Sequence, residues 1–304
     1  MRAKPFIKCA GGKTQILDEI EKRLPERTKR TKKIERYIEP FLGGGAVFFY
    51  LQEHYQINSA ILIDKNQDLI LTYKVVQKYS EELIGELEKI ENEYFACKEL
   101  KRDKYYYQIR REFNQQRLKR CCDNLNRSCF TRAAHFIFLN KTCFNGLFRQ
   151  NLKGEFNVPF GRYVRPAILN RENLLAVSQA LKKVTILDGD FSQAENYAKK
   201  NTLVYLDPPY RPLNTTSKFT HYLKSGFDDN EQIRLAEFFK KMYKEGAYLI
   251  LSNSDPQNRN PNDKFFDELY GEFLIERIQA KRAINRKGQN RGKINELIIR
   301  NFVE

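Results

Sequence analysis

Residues 202–210 read Thr-Leu-Val-Tyr-Leu-Asp-Pro-Pro-Tyr, an apolar run that ends in a carboxylate and two prolines. The run has the make-up of a buried strand. It has to stop at the prolines, which offer no N–H to a neighbouring strand and hold the residue before them extended. A carboxylate at the carboxyl end of such a strand sits where open α/β sheets bind ligands. The extended loop presents the Asp207 carboxylate, the Pro208 carbonyl and the Tyr210 ring to one flat group. An exocyclic amine on a nucleobase matches all three, donating its N–H groups to the two oxygens while the base stacks on the ring. The alternative is a Pro-Pro turn with a tyrosine packed beside it.

Around this segment the chain reads as α/β. Strands are predicted over 36–39, 59–64, 184–187, 203–206 and 247–251, and helices over 14–24, 46–52, 66–78 and 230–244. Two further strands, 273–280 and 295–302, bracket a basic loop and suggest an antiparallel pair at the sheet edge. Between the helix at 66–78 and the strand at 184–187 the chain changes character. From Ser80 a helical face is predicted, and Cys97–Arg165 holds 16 Lys and Arg against 5 Asp and Glu, with aromatics interleaved. Within it, Phe144–Tyr163 carries Asn145-Gly146 and Lys153-Gly154, turn signals of a hairpin or ordered loop. The expectation is an α/β domain interrupted by a basic, mostly helical insert.

The charge agrees with that division. The 304 residues carry a formal net charge of +16, which points to an acidic partner, most commonly nucleic acid. Two further stretches are basic, 22–36 and 277–293, the second with seven Lys and Arg and no acid. No apolar run approaches the roughly 18 residues of a membrane helix, and the N-terminus lacks the apolar core of a secretory signal. The six cysteines form no regular framework, so reduced thiols are expected. Cys121, Cys122, Cys129, His135 and Cys143 lack the paired spacing of a zinc site, and no metal is expected.

A second motif follows the strand at 36–39: Glu39-Pro40-Phe41-Leu42-Gly43-Gly44-Gly45. Glycines there let the backbone approach a ligand and turn into the next helix. About 20 residues on, Asp64 ends the next strand, where an acid commonly holds ribose hydroxyls. Together they imply an adenosine-type cofactor; alternatively, Asp64 serves only as an acid at a helix N-terminus. A third motif, Lys8-Cys9-Ala10-Gly11-Gly12-Lys13-Thr14, is no phosphate-binding loop, because Ile7 stands where the first glycine belongs and no strand precedes it. With only His54, His135 and His221, in unrelated contexts, nothing suggests a Ser-His-Asp triad. Methyl transfer from a sulfonium needs neither an imidazole base nor a metal. The chain need only align the amine and stabilise its developing positive charge. A base cannot reach these groups from inside a duplex, so base flipping is implied.

Taken in order, FIKCAGGK (6–13), YIEPFLGGGAVFF (37–49), LIDKNQDLI (62–70), FNGLFRQNLKGEFNVPFGRY (144–163), LVYLDPPY (203–210), FTHYLKSGF (219–227), LSNSD (251–255) and RGKINELII (291–299) resemble Dam-type, D12-class, alpha-group DNA adenine-N6 methyltransferases. The resemblance covers nearly the whole chain. It implies a Rossmann-like catalytic domain, 1–68 and 168–304, with an inserted helical target-recognition domain, 69–167, carrying a β-hairpin. It also implies S-adenosylmethionine as cofactor, held by Lys13, the Glu39–Gly45 loop through Glu39, Phe41 and Gly43, and by Asp64, Phe191 and Asp207. Cys9 takes a cofactor-binding position where the family has an aromatic. Asp207, Pro208 and Tyr210 become the catalytic group.

The FNGLFRQN stretch is similar to the hairpin of GATC-specific members. By that similarity Phe144 wedges into the opened stack, Asn145, Leu147, Arg149 and Pro159 face base pairs, and Lys8 reaches a flanking guanine. Arg149 suits guanine because its fork matches O6 and N7; the alternative for Phe144 is an ordinary core aromatic. The expected partner is double-stranded DNA, bound by a cytoplasmic, nucleoid-associated monomer, with a cognate restriction endonuclease as a further partner and no membrane. Two other functions compete: methylation of an RNA base or protein amide by a related fold, and a catalytically silent DNA-binding module. Asp207 and the hairpin argue against the first, and the intact Asp64, Asp207 and glycines against the second.

Overall fold

The computed structural model describes residues 2–9, 13–116, 125–211, 227–281 and 293–303. Its elements, in chain order, are α1 Leu17–Lys22, α2 Glu26–Thr31, β1 Lys33–Glu39, α3 Ala46–His54, β2 Gln56–Asp64, α4 Gln67–Lys78, α5 Ser80–Ala96, α6 Arg102–Gln115, α7 Arg127–Thr142, α8 Arg171–Leu181, β3 Val184–Asp188, β4 Thr202–Leu206, α9 Asp229–Lys244, β5 Tyr248–Ser254, α10 Phe265–Leu269, β6 Leu274–Lys281 and β7 Lys293–Arg300. The chain divides into two compact units: Met1–Gly12 with Gly43–Phe49 and Asn66–Asp188, and Lys13–Leu42 with Tyr50–Lys65 and Gly189–Glu304.

Six of the seven strands lie in the second unit, in the order β2-β1-β4-β5-β7-β6. β2, β1, β4 and β5 are parallel. β7 runs antiparallel to both β5 and β6, the edge pair that the C-terminal pattern predicts. Every residue of β4 is buried, as expected of a parallel strand covered on both faces. Parallel pairing sets the carboxyl ends of β1, β2 and β4 along one border, so Glu39, Asp64 and Asp207 close their strands on the same side of the sheet.

Sequence periodicity places most elements to within a few residues. The N-terminal helix is the exception. In place of one helix over 14–24 there is a 3-10 turn, Lys13–Gln15, then the short α1, and then α2 begins after Pro25. Pro25 supplies the φ of a helix start but no N–H for the helix before it.

The first unit is built around α7, which packs against α4, α5 and α6. Its buried residues run through Arg132–Asn140 without a polar stripe, the pattern of a helix enclosed on all sides. Inside, Arg132 donates through Nε to Asp68 Oδ1 at 2.6 Å and through Nη1 to the Phe113 carbonyl at 2.7 Å. Asn126 caps α7 by accepting from the Ser128 and Cys129 amides.

The 144–163 stretch is an ordered antiparallel loop and not a continuous ladder. Single bridges join Cys143 to Phe160 and Gln150 to Phe156, and a turn closes at Gly154 N–H to Asn151 O, 2.9 Å. Asn145-Gly146 is not its tip. These residues sit in a 3-10 turn directly after α7, both in the left-handed region at φ 57° and 61°. Among the described residues no helix is long and apolar enough to cross a membrane.

Candidate active site

The β4–β5 register pairs Leu206 with Leu251, which brings Asp207 alongside Ser252. Ser252 Oγ donates to Asp207 Oδ1 at 3.3 Å. Because that hydroxyl has one proton, the 2.8 Å contact between Tyr205 OH and Ser252 Oγ must run as donation from the tyrosine. On its other side Asp207 meets Lys13, whose Nζ lies 2.8 Å from the same Oδ1; the lysine side chain is 4 % exposed and the aspartate 23 %. Burial pushes the Asp207 carboxyl above the ordinary aspartate value, while Lys13, then Ser252, pull it down.

Lys13 also donates to the Tyr210 hydroxyl and stands 4.4 Å from the ring centroid. Tyr210 in turn donates to Glu296 Oε2 on β7 at 3.1 Å. The loop between is pinned: Gln232 of α9 donates to the Pro209 carbonyl at 3.2 Å and is itself held by Asn253 Nδ2 at 3.3 Å. Just beyond, Arg211 binds Asp229 through Nε at 2.7 Å and Asp263 through Nη1 at 2.8 Å. Among the described residues no hydrogen bond ends on the Pro208 carbonyl. That leaves it, with the Asp207 carboxylate, as an acceptor in a loop whose backbone is fixed on both sides.

A second cluster in the same unit occupies the ends of β1 and β2. Glu39 is 2 % exposed and accepts from Tyr37 OH at 2.8 Å. The Phe41 ring lies 5.4 Å from Phe191 and 5.6 Å from Phe227. The carbonyl of Asp64 accepts from Gly189 N–H at 3.0 Å, which ties the β2 end to the 189–196 segment. There Asp190 takes both Arg234 guanidinium nitrogens, at 2.7 and 2.8 Å, and Lys65 Nζ at 2.8 Å. Those bonds, Arg234 foremost, hold its carboxyl well below the ordinary range. The same guanidinium stacks 4.1 Å from the Phe191 centroid. The result is an aromatic patch of Phe41, Phe191 and Phe227 in the same unit as the strand-end acids Glu39 and Asp64.

Cys9 and Gly43, the other two expected cofactor residues, fall in the first unit. A Cβ on Gly43 would lie 3.7 Å from Cys9 Sγ, and φ there is +48°, so the thiol lies against glycine backbone.

The expected DNA-facing residues are also in the first unit. Asn140 of α7 clamps the Lys8 backbone, accepting from its N–H and donating to its carbonyl, both at 2.8 Å, and also donates to the Gly146 carbonyl at 3.1 Å. Phe144 N–H donates to the Pro159 carbonyl at 2.9 Å, and the Phe144 ring is 52 % exposed, so it is no core aromatic. Arg149 is exposed, with Nε donating to Asn157 Oδ1 at 2.8 Å. Asn145 and Pro159 are exposed, Leu147 half-buried, and Lys8 Nζ lies 4.7 Å from the Tyr163 centroid. The loop thus carries an apolar ring, an amide and a guanidinium, and the Lys8 ammonium lies over its Tyr163 ring.

Sequence reasoning assigned no role to Tyr205, Ser252, Gln232, Arg234 or Glu296. LSNSD and RGKINELII carry two of these residues, but no local pattern says which side chain reaches the aspartate. Cys121, Cys122, the 219–226 part of FTHYLKSGF and the basic 282–292 loop lie outside the described residues.

A parallel sheet with an antiparallel edge, closed by an acid-proline-proline-tyrosine loop, defines a Rossmann-like methyltransferase. The D12 class N6 adenine-specific DNA methyltransferase family model matches residues 10–284, and the chain belongs to that family. It is a DNA adenine-N6 methyltransferase, which implies a methyl donor and a DNA substrate. It is 50 % identical over 303 residues to a Type II methyltransferase of Methanocaldococcus jannaschii, covering 99 % of this chain and 100 % of that one. It is 36 % identical to a Type II methyltransferase of Lactococcus lactis subsp. cremoris (98 % and 95 % covered) and 32 % identical to the DNA adenine methylase of Escherichia coli K12 (97 % and 94 %). A solved precorrin 8w decarboxylase from Methanobacterium thermoautotrophicum aligns over 100 % of both chains at 10 % identity and a TM-score of 0.36, too distant to carry any argument.

Proposed function

We propose that this methyltransferase acts at GATC in duplex DNA on a flipped adenine, with S-adenosylmethionine as donor. The observation that carries the reading is the Lys13–Asp207–Tyr210 cluster at the carboxyl end of β4, with the Ser252 hydroxyl behind the carboxylate. The donor, when bound, supplies an activated methyl on a good leaving group. The residues present suit it: the Phe41–Phe191–Phe227 patch takes an adenine ring, Asp64 and Glu39 take ribose hydroxyls, and Lys13 takes a carboxylate. Gly43 admits close backbone approach, with Cys9 beside it in the family's aromatic position.

Asp207 and the Pro208 carbonyl accept the two amine N–H groups, which favours sp³ nitrogen and frees its lone pair. Charge that develops on the nitrogen falls beside the carboxylate. The Tyr210 ring holds the base plane by stacking. Phe144 fills the vacated space in the stack. Asn145, Leu147, Arg149 and Pro159 read the base pairs, and Lys8 reads a flanking guanine. Residues 69–167 form the target-recognition domain, and 1–68 with 168–304 the catalytic domain. The protein acts in the cytoplasm as a monomer on DNA; relatives named Type II methyltransferases support pairing with a restriction endonuclease.

Labelled-methyl transfer tests the reading. Transfer is expected to an unmethylated GATC duplex and not to a premethylated one. Equal labelling of GATC-free DNA would overturn the target assignment. Binding is expected to weaken steeply with salt, as counterions are released from each phosphate contact.

A further inference from the structure

Glu296 is an acid outside the expected site that the fold brings to Tyr210. Antiparallel pairing of β7 with β5 sets Glu296 opposite Ser254, two residues from Ser252 along β5. Its half-buried carboxylate accepts the Tyr210 hydroxyl proton at 3.1 Å. The same hydroxyl accepts from Lys13, which also holds Asp207. A phenol has one proton and in-plane lone pairs. The hydroxyl oxygen lies on the ring's rotation axis, so turning the ring leaves it in place, but the O–H prefers the ring plane by conjugation and its bond to Glu296 weakens as the plane turns. The hydroxyl end of Tyr210 is therefore held by two groups that approach from a 3-10 turn near the N-terminus and from β7, and the bond to Glu296 favours one ring plane.

We propose that Glu296 is a positioning residue for base capture: through its hydrogen bond from Tyr210 it fixes the ring on which the flipped adenine stacks. The inference rests on the proposed stacking role of Tyr210. Glu296 itself touches neither base nor donor, and it serves as a hydrogen-bond acceptor and not as a charge or a base. Its amide isostere therefore does the same work. Burial and the nearby Asp207 raise the Glu296 carboxyl above the ordinary glutamate value, while Lys13 and the Tyr210 bond pull it down.

The test is a double-mutant cycle in the full-length protein with Glu296→Ala, Glu296→Gln and Tyr210→Phe. Single-turnover methylation and the fluorescence of 2-aminopurine at the target adenine are read together. Glu296→Ala is expected to lower the single-turnover rate about tenfold, the upper end of what one hydrogen bond contributes. The 2-aminopurine signal is expected to change with it, and donor affinity to stay within twofold. Glu296→Gln is expected to stay within about threefold of the parent. In the Tyr210→Phe background, which keeps the ring and lacks the hydroxyl, Glu296→Ala is expected to add less than twofold. Full additivity in that background, a Gln variant as impaired as Ala, or an unimpaired Ala variant would overturn the proposal. Should the parent fail to methylate GATC, the functional reading fails instead, and the cycle can still be read on whichever adenine duplex it does methylate.

Discussion

Lys13 holds its ammonium 2.8 Å from Asp207 Oδ1, and the two residues are separated by most of the chain. The pair joins the turn that opens the sequence to the loop that closes β4. It decides how much of Asp207 is ionised, because burial drives this carboxyl up and Lys13 is the largest force bringing it down.

That balance has a kinetic signature. In the proposed mechanism Asp207 accepts from the amine as a carboxylate, so turnover is expected to fall as pH drops through a value above the ordinary aspartate range. Lys13→Met removes the lowering influence and should move this acid limb to higher pH, measured as kcat against pH at saturating donor. A limb that stays in place would separate Lys13 from Asp207 ionisation. Asp207→Ala should abolish transfer while DNA binding survives; near-normal turnover would remove Asp207 from the chemistry.

Arg149 presents its guanidinium from the loop with Nε and Nη2 engaged by Asn157, at 2.8 and 3.4 Å. Arg149→Ala should cost about 1–3 kcal/mol of discrimination at one base pair. Competition binding with duplexes changed one pair at a time measures it. An equal loss for every sequence would make Arg149 a phosphate contact.

Gly146 lies at φ +61°, and a Cβ there would come within 2.5 Å of Lys8 Cδ. Gly146→Ala should therefore displace Lys8 and strain the turn by about 1–2 kcal/mol. The expected result is weaker DNA binding with donor affinity unchanged, checked by titrating each ligand separately. Unaltered DNA affinity would mean that Lys8 does not act from this position.

Asp68 and Arg132 form a buried pair between α4 and α7, with side chains 6 % and 11 % exposed. Asp68→Ala would leave a buried guanidinium without its counter-charge, a loss of about 3–5 kcal/mol. Urea unfolding measures it; a change under about 1 kcal/mol would show that the Phe113 and Gln116 carbonyls suffice to hold Arg132.

Much of the site is legible from local chemistry. A carboxylate ending an apolar run before two prolines reads as the end of a strand, and Asp207 directly follows β4. Glycines after β1 and Asp64 at the end of β2 are readable for the same reason: strand ends and tight turns depend on residues close in sequence. The helix expected over 14–24 fails because periodicity does not register what Pro25 does to the turns before it.

What lay beyond the sequence depends on register. Ser252 and Glu296 reach the site because β5 pairs parallel with β4 and antiparallel with β7. A shift of one residue in either ladder would turn those side chains to the other face. The sequence by itself determined the strand-end acid, the glycine loop, the basic insert and, through these, the chemistry of the chain. Only the tertiary structure decided which polar side chains share a hydrogen bond with Asp207 and Tyr210, because hydrogen bonds between distant strands are set by ladder geometry and not by neighbours along the chain.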